Sequence, residues 1–379
     1  MSGKKKIIRM ANIPVSLNVF CKDLFRNLSD EYEIVAVSSP GKDLDEVAQR
    51  EGIKTVAVPI ARRMAPFKDI VTFFRLIKVF RRERPDMVHT MGHKAAILGQ
   101  FAAKLTGVKH RVHTFTGLAF PTASGFARWV LKKVDKFICW CSTDIIPEGK
   151  GVMNDLQQNK ITRKPLKVLG YGNIRGIDLD VYDRTPEVLA EASGIRKEDL
   201  FTFVFVGRVV ADKGINELVE AFCRLNKENP CTRLILVGDR DSGIDPISAE
   251  TSRKIEETPS IVEAGLQKDV RPWFVASDCF VLPSYREGFP NSVIEAGALG
   301  LPSIVTDING ANEIIIDGKN GMIVPSKSAD ALYSAMKRMI EDSAFRQSAT
   351  ACARELIASR YERSYVWKCL REFYKEKLG

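Results

Sequence analysis

Two carboxylates, Glu287 and Glu295, have seven residues between them in the run Ser284-Tyr-Arg-Glu-Gly-Phe-Pro-Asn-Ser-Val-Ile-Glu-Ala296. A strand ending near Pro283, a turn holding Gly288 and Pro290, and a helix opening at Asn291 or Ser292 account for the pattern. Either of those two residues can cap the helix. The first amides of such a helix and its dipole favour a phosphate. Carboxylates on both sides of the helix start can accept hydrogen bonds from sugar and ribose hydroxyls. As an isolated spacing the pair reads as one solvated Glu on a loop and another on a helix. The strand–turn–helix context gives it chemical content.

A second run, Phe205-Val-Gly-Arg-Val-Val-Ala-Asp-Lys-Gly214, ends a strand in a glycine and sets Arg208 and Lys213 in the loop before the next helix. Arg208 offers a bidentate fork and Lys213 a point charge, a combination suited to a diphosphate. Two surface cations are the plain alternative. It weakens because both loops are expected on one edge of one sheet.

All four histidines, at 89, 93, 110 and 113, fall within 25 residues. His89 and His113 read as strand ends, where open α/β sheets place ligands. His89 and His93 have the spacing of a helical metal pair, but one reads as a strand end and the other as a helix start. No metal site is therefore expected. His110 reads as surface, and His113 as either substrate-directed or structural.

These groups need elements to position them. Short apolar runs at Ile34–Ser38, Thr55–Val58, Met87–His89, Arg111–Phe115 and Phe137–Cys141 read as strands. In the last, alternation would put Cys139 and Cys141 on one face. Helices fit at Leu17–Leu28, Leu44–Glu51, Lys68–Glu83 and Lys94–Leu105. A second series has strands at Thr202–Val206, Arg233–Val237, Cys279–Leu282 and Ser303–Val305. Its helices are Ile215–Asn226, Asn291–Leu299 and Ala329–Glu341. The alternation predicts parallel sheets covered on both faces, hence an α/β fold with two Rossmann-like halves. The expected division is 1–175, 176–360 and a C-terminal helix over 361–379. Gly170-Tyr-Gly-Asn-Ile-Arg-Gly176 has the spacing G-x-G-x-x-x-G and reads as tight turns in a linker, not a dinucleotide fingerprint. Met10–Phe20 holds no glycine, which argues against an ordinary nicotinamide dehydrogenase.

At 379 residues the chain exceeds the size of one growing core. No run of 18 apolar residues suggests a spanning helix, and the basic start lacks the pattern of a secretion signal, so a cytoplasmic protein is expected. The eight cysteines are scattered and read as reduced core thiols. Charge is uneven. Residues 1–170 carry 30 Lys and Arg against 15 Asp and Glu, and residues 171–379 carry 27 against 32. The basic half should face an anionic ligand, a membrane surface or nucleic acid. Two stretches fit a membrane. Phe67–Arg84 has apolar residues at helical spacing with a cationic remainder, and Ala119–Phe137 adds Phe120, Phe126, Trp129, Lys132, Lys133 and Lys136. Both also fit helices whose apolar stripe packs on a sheet.

Gly207-Arg-(x4)-Lys213-Gly214 together with Glu287-Gly-Phe-Pro-(x4)-Glu295-Ala resembles the retaining family-4 glycosyltransferases of the GT-B fold. Ser38-Ser-Pro-Gly-x-Asp-Leu44, Arg84-Pro-Asp-Met-Val-His89, Lys94-Ala, His113-Thr-Phe-Thr-Gly117 and Gly176-Ile-Asp-Leu179 are similar to the bacterial capsule and O-antigen branch. The resemblance implies two Rossmann-like domains facing across a cleft, with a last helix crossing back to the first domain. It implies that Arg208 and Lys213 hold the donor diphosphate and that Glu295 binds ribose. Glu287 would touch the donor sugar, with the backbone of Gly288, Phe289 and Asn291 close by. Lys94 and His113 fall where the family places acceptor-side or catalytic groups. In this chain Gly92-His93 stands where the branch commonly has Thr-Pro, and Thr116-Gly117 where many relatives have His-Gly.

The function so implied is transfer of a hexosyl or N-acetylhexosaminyl group from a UDP-linked donor, with retention, to a glycan acceptor. The acceptor would be carried on undecaprenyl diphosphate at the inner membrane face. Same-face attack, with the leaving phosphate helping to deprotonate the acceptor, needs no metal, cofactor or enzyme nucleophile. A soluble acceptor, a UDP-sugar epimerase on the same architecture and an inactive membrane scaffold remain as alternatives. The acidic second half and the lack of a nucleic-acid motif argue against nucleic acid.

Overall fold

The computed structural model describes residues 3–61, 65–240 and 245–379. The chain forms two compact units, Met1–Gly176 with Arg363–Gly379 and Ile177–Glu362. The first unit holds β1 (Lys5–Ala11), β2 (Tyr32–Ser38), β3 (Lys54–Ala57), β4 (Met87–Met91), β5 (His110–Phe115) and β6 (Asp144–Pro147), in the order β3-β2-β1-β4-β5-β6. The second holds β7 (Phe201–Val206), β8 (Thr232–Val237), β9 (Ile261–Gly265), β10 (Cys279–Leu282), β11 (Ser303–Thr306) and β12 (Gly321–Val324), in the order β9-β8-β7-β10-β11-β12. Every pairing between these strands is parallel. The two sheets thus share one doubly wound topology, with strand order reversing between β1 and β4 and between β7 and β10. Loops leaving the carboxyl ends of such a pair diverge to opposite faces and leave a crevice.

The central strands are apolar because helices cover both faces. Ile7 and Ile8 of β1 pack into separate clusters on opposite sides of the first sheet, and both are fully buried. Phe203, Phe205, Leu234, Leu236 and Phe280 anchor the single large core of the second unit. The C-terminal helix Arg363–Leu378 completes the first unit. Leu370, Phe373 and Tyr374 sit in the cluster of Ile7 and Phe25. Tyr374 Oη accepts a 2.8 Å hydrogen bond from the buried Arg9 guanidinium, 365 residues earlier in the chain.

Four readings change. Phe137–Cys141 is the last turn of the helix Gly125–Cys141, and the strand follows at Asp144–Pro147. The run alternates buried Cys139, exposed Trp140 and buried Cys141, which imitates a strand's period over too few residues to separate the two. Leu17–Leu28 is not one helix. Helices Pro14–Phe20 and Leu24–Leu28 are broken at Asp23, which has φ 62°. The buried Glu51 carboxylate stabilises the break by accepting from the amides of Asp23 (2.8 Å) and Arg26 (3.1 Å). The linker region contains a helix, Pro186–Ile195, capped by Thr185. The two outer strands β9 and β12, only five and four residues long, are not among the expected strands.

Candidate functional site

In the second unit β7 and β10 are neighbours, with Phe203 beside Cys279 and Val204 beside Phe280. This register delivers the loops Gly207–Gly214 and Pro283–Pro290 to the same carboxyl edge of the sheet. Gly214 sets how close they come. It has φ 72°, and a Cβ on it would stand 2.1 Å from the Pro283 carbonyl oxygen. The Tyr285 amide donates to the Asp212 carbonyl at 2.8 Å, which ties the loops by backbone. Arg286 adds an ion pair to Asp212 at 3.3 Å.

The loops bring Lys213 and Glu287 together as a direct ion pair, Nζ to Oε1, with both side chains mostly buried. Ser284, fully buried, donates to the same Glu287 oxygen at 2.9 Å. The Ser284 carbonyl in turn accepts from Thr306 Oγ1 at 2.5 Å. Glu287 is therefore held from two sides before any ligand arrives. Tyr285 packs under the loop and donates to Glu217 at 2.6 Å, and burial pushes its phenol well above the usual range.

The helix runs Asn291–Ala298 with Pro290 as its N-cap residue, so neither Asn291 nor Ser292 is the cap, and no side chain caps it. Pro290 cannot continue the preceding hydrogen bonds and starts the helix abruptly. Glu295 lies on the second turn of this helix and is 9% exposed. Tyr182 Oη donates to its Oε1 at 2.8 Å. Sequence reasoning missed Tyr182, which lies in the weakly patterned 170–200 region with no motif of its own. Phe289 is buried edge-on to Tyr361 at 5.6 Å, so its side chain anchors the turn while its backbone stays in the loop.

Beside these groups a cavity of about 540 Å³ opens at the ends of β7 and β8. Gly207, Arg208, Gly238, Asp239, Leu266 and Val270 line it, and Arg208 is exposed on it. Its walls are mixed apolar and polar, as a planar base and a ribose require. Gly238 keeps it open: a Cβ there would stand 1.9 Å from the Gly207 carbonyl oxygen. A larger cavity, about 650 Å³, lies near Arg184, Arg196 and Asp278. It sits toward the amino ends of β7 and β10, away from the edge where such sheets bind ligands.

His113 belongs to the first unit. It is 1% exposed, its Nδ1 lies 2.9 Å from Thr90 Oγ1, and burial, with His93 nearby, lowers its imidazole to about 3. His89 is buried too. Its Nδ1 lies 2.6 Å from Arg9 and 2.7 Å from Tyr374, its Nε2 lies 2.7 Å from Thr114, and burial keeps it neutral. Lys94 pairs with Asp69 at 2.8 Å. Among the described residues no three His, Cys, Asp or Glu converge as metal ligands.

Two family models match the chain. "Glycosyl transferases group 1" covers residues 201–342 and "Glycosyl transferase 4-like" covers 11–145. The chain is 28% identical to the capsular polysaccharide biosynthesis glycosyltransferase CapM of Staphylococcus aureus, over 99% of this chain and 98% of that protein. It is 28% identical to a UDP-Gal:alpha-D-GlcNAc-diphosphoundecaprenol alpha-1,3-galactosyltransferase of Escherichia coli, over 81% and 80%. Among solved structures, Anabaena Alr3699/HepE in complex with UDP and glucose superposes with a TM-score of 0.83 at 16% identity, over 98% of this chain and 100% of that one. Two parallel six-stranded sheets of one topology, with these neighbours, define the GT-B fold. The chain is a glycosyltransferase, similar over residues 201–342 and 11–145 to the group 1 and 4-like models.

Proposed function

We propose that the protein transfers a hexosyl or N-acetylhexosaminyl residue from a UDP-sugar, with retention, to a glycan on undecaprenyl diphosphate in surface polysaccharide assembly. The observation that carries this reading is the Lys213–Glu287 pair beside the uncapped helix start and the Arg208-lined cavity. The base and ribose enter the cavity, and Glu295, oriented by Tyr182, takes ribose hydroxyls. Glu287 accepts from hydroxyls of the donor sugar, with the Gly288, Phe289 and Asn291 backbone beside it. Lys213 then shifts toward the diphosphate, and with Arg208 it offsets the charge that develops on departing UDP. That assigns charge stabilisation to side chains and the helix start, so activity is expected to survive a chelator. His113, buried and neutral, enters this reading as support for Thr90 and Phe115.

The lipid-linked acceptor is favoured by the printed activity of the Escherichia coli relative. A membrane-facing surface supports it. Phe73 stacks on Phe101 at 5.1 Å and Phe101 meets Phe137 edge-on at 5.4 Å, joining helices Pro66–Glu83, His93–Leu105 and Gly125–Cys141 into one layer. Phe67, Phe74, Phe126 and Trp129 are exposed on that layer's outer helices, among Lys68, Arg75, Lys133 and Lys136. Apolar anchors with cations around them fit an anionic leaflet and support a peripheral position on the inner face of the membrane. No helix among the described residues is long and apolar enough to cross it.

A thermal-shift screen of nucleotide sugars tests the donor, since a ligand of the folded state raises Tm. Stabilisation by UDP-sugars and UDP is expected, and a response to other nucleotides alone would overturn the UDP assignment. Transfer from the stabilising donor to prenyl-diphosphate-linked and to soluble acceptors tests the rest.

A further inference from the structure

The cavity of about 650 Å³ at the amino ends of β7 and β10 lies wholly within the second unit. The helices Pro186–Ile195 and Ser343–Tyr361 wall it, together with the turn that follows the helix Asn291–Ala298. Three arginines line it: Arg184, Arg196 and Arg346. They differ in how far their charge is matched. Arg196 pairs with Asp278 at 3.0 Å and with the solvent-exposed Glu198 at 3.6 Å. Arg184 donates from Nε and Nη2 to the Leu299 carbonyl, at 3.0 and 2.9 Å. Arg346 donates from Nη1 to the carbonyls of Met339 and Ile340, at 2.7 and 3.0 Å.

Those carbonyls belong to the last turns of the helices Asn291–Ala298 and Ala329–Glu341. A helix end carries only a partial negative charge, so such contacts fix a guanidinium in place and offset its charge in part. Neither Arg184 nor Arg346 has a carboxylate partner among the described residues, and Nη1 of Arg184 and Nη2 of Arg346 donate to no protein group among them. Desolvation, and then the like charges of Arg196 and Arg354, lower the Arg184 guanidinium below its ordinary value. Two cations, each anchored along one edge and open along another, thus share one concave surface. Guanidinium edges held in this way match the oxygens of a phosphate.

The rest of the cavity suits an organic body. Ala192 and Leu301 are almost fully buried and make an apolar floor, while Ser193 and Thr350 are exposed and offer hydroxyls at the rim. A bare phosphate would leave that floor uncovered. The volume falls within the range of about 300–1,000 Å³ usual for small-molecule sites. We propose that this cavity binds a small phosphate monoester, its phosphate on the open edges of Arg184 and Arg346 and its organic body over Ala192 and Leu301. The cavity shares no lining residue with the donor cavity at Arg208, so both can be filled at once.

Isothermal titration of the full-length enzyme, saturated with UDP so that the donor cavity is occupied, tests the site. Glucose 6-phosphate, glycerol 3-phosphate and AMP are the probes. At least one should bind saturably at one site per chain, and inorganic phosphate should bind about tenfold or more weakly, because it covers no apolar floor. Arg346→Gln removes one charged donor and should weaken the ester about tenfold or more. Ser193→Glu sets a carboxylate into the cavity from an exposed position. It should abolish ester binding with Tm and the UDP-induced thermal shift unchanged. If Arg346→Gln fails to fold, Ser193→Glu carries the comparison. Binding of none of the three esters, equally tight binding of inorganic phosphate, or ester binding that Ser193→Glu leaves intact would overturn the inference. Should UDP itself fail to bind, the donor reading falls, and titration of the UDP-free enzyme against Ser193→Glu still decides this site.

Discussion

Lys213 and Glu287 neutralise each other across two loops that leave adjacent strands, and Ser284 holds the shared carboxylate oxygen from below. A cation and an anion that will each serve a different part of one ligand are thus stored as a pair. Binding exchanges one partner for another instead of burying new charge, and the desolvation cost of a lone lysine or glutamate is avoided.

Lys213→Ala removes a cation aimed at the leaving diphosphate. The loss of about 2–4 kcal/mol of barrier stabilisation corresponds to a fall in kcat of roughly 30-fold or more. Steady-state transfer rates check it, and near-normal turnover would remove Lys213 from the role.

Tyr182→Phe deletes the hydrogen bond to Glu295 and leaves the ring in place. A hydrogen bond to a charged group is worth about 1.5–3 kcal/mol. The donor KM should rise roughly tenfold with kcat little changed, provided Glu295 serves binding and not the chemical step. A drop in kcat at constant KM would contradict the ribose assignment.

Gly214→Ala places a methyl 2.1 Å from the Pro283 carbonyl and in a left-handed backbone conformation. Strain of about 1–3 kcal/mol, or separation of the two loops, follows. Both a lower Tm and a loss of transfer are expected, and an unchanged Tm would mean the loops are not packed this tightly.

Buried neutral histidines make the first unit acid-sensitive. His113 is lowered to about 3 from 6.5, so below pH 6.5 the unfolded chain binds a proton that the folded chain refuses. Its contribution is fully present above 6.5 and is lost as pH falls toward 3, at about 1.4 kcal/mol per pH unit. His89 acts in the same direction. Urea midpoints at pH 7 and pH 5 should show the loss, and His113→Gln should flatten it.

Phe67→Ser with Phe126→Ser removes two exposed anchors that pack little in the folded chain. Co-sedimentation with anionic vesicles should drop severalfold while Tm stays constant. Unaltered sedimentation at low salt would argue against this surface as the docking face.

The donor-side chemistry was legible because its residues lie within two short runs, each spanning a strand end, a turn and a helix start. Local pattern fixes such units well. What escaped depends on distance in sequence. Tyr182 reaches Glu295 from 113 residues away and carries no signal in its own neighbourhood. The helix end at Phe137–Cys141 was misread for the opposite reason: a local signal existed, but five residues fit both periods. The break at Asp23 is set by Glu51, a carboxylate from another helix that no window around Asp23 contains.

The bond between Arg9 and Tyr374 has a consequence for synthesis. β1 carries a guanidinium destined for the interior, and a partner that satisfies it leaves the ribosome 365 residues later. The second unit, continuous from Ile177 to Glu362, can close on its own while translation continues. The first unit must wait with its core incomplete until the helix Arg363–Leu378 appears. Order of manufacture and order of completion are therefore inverted.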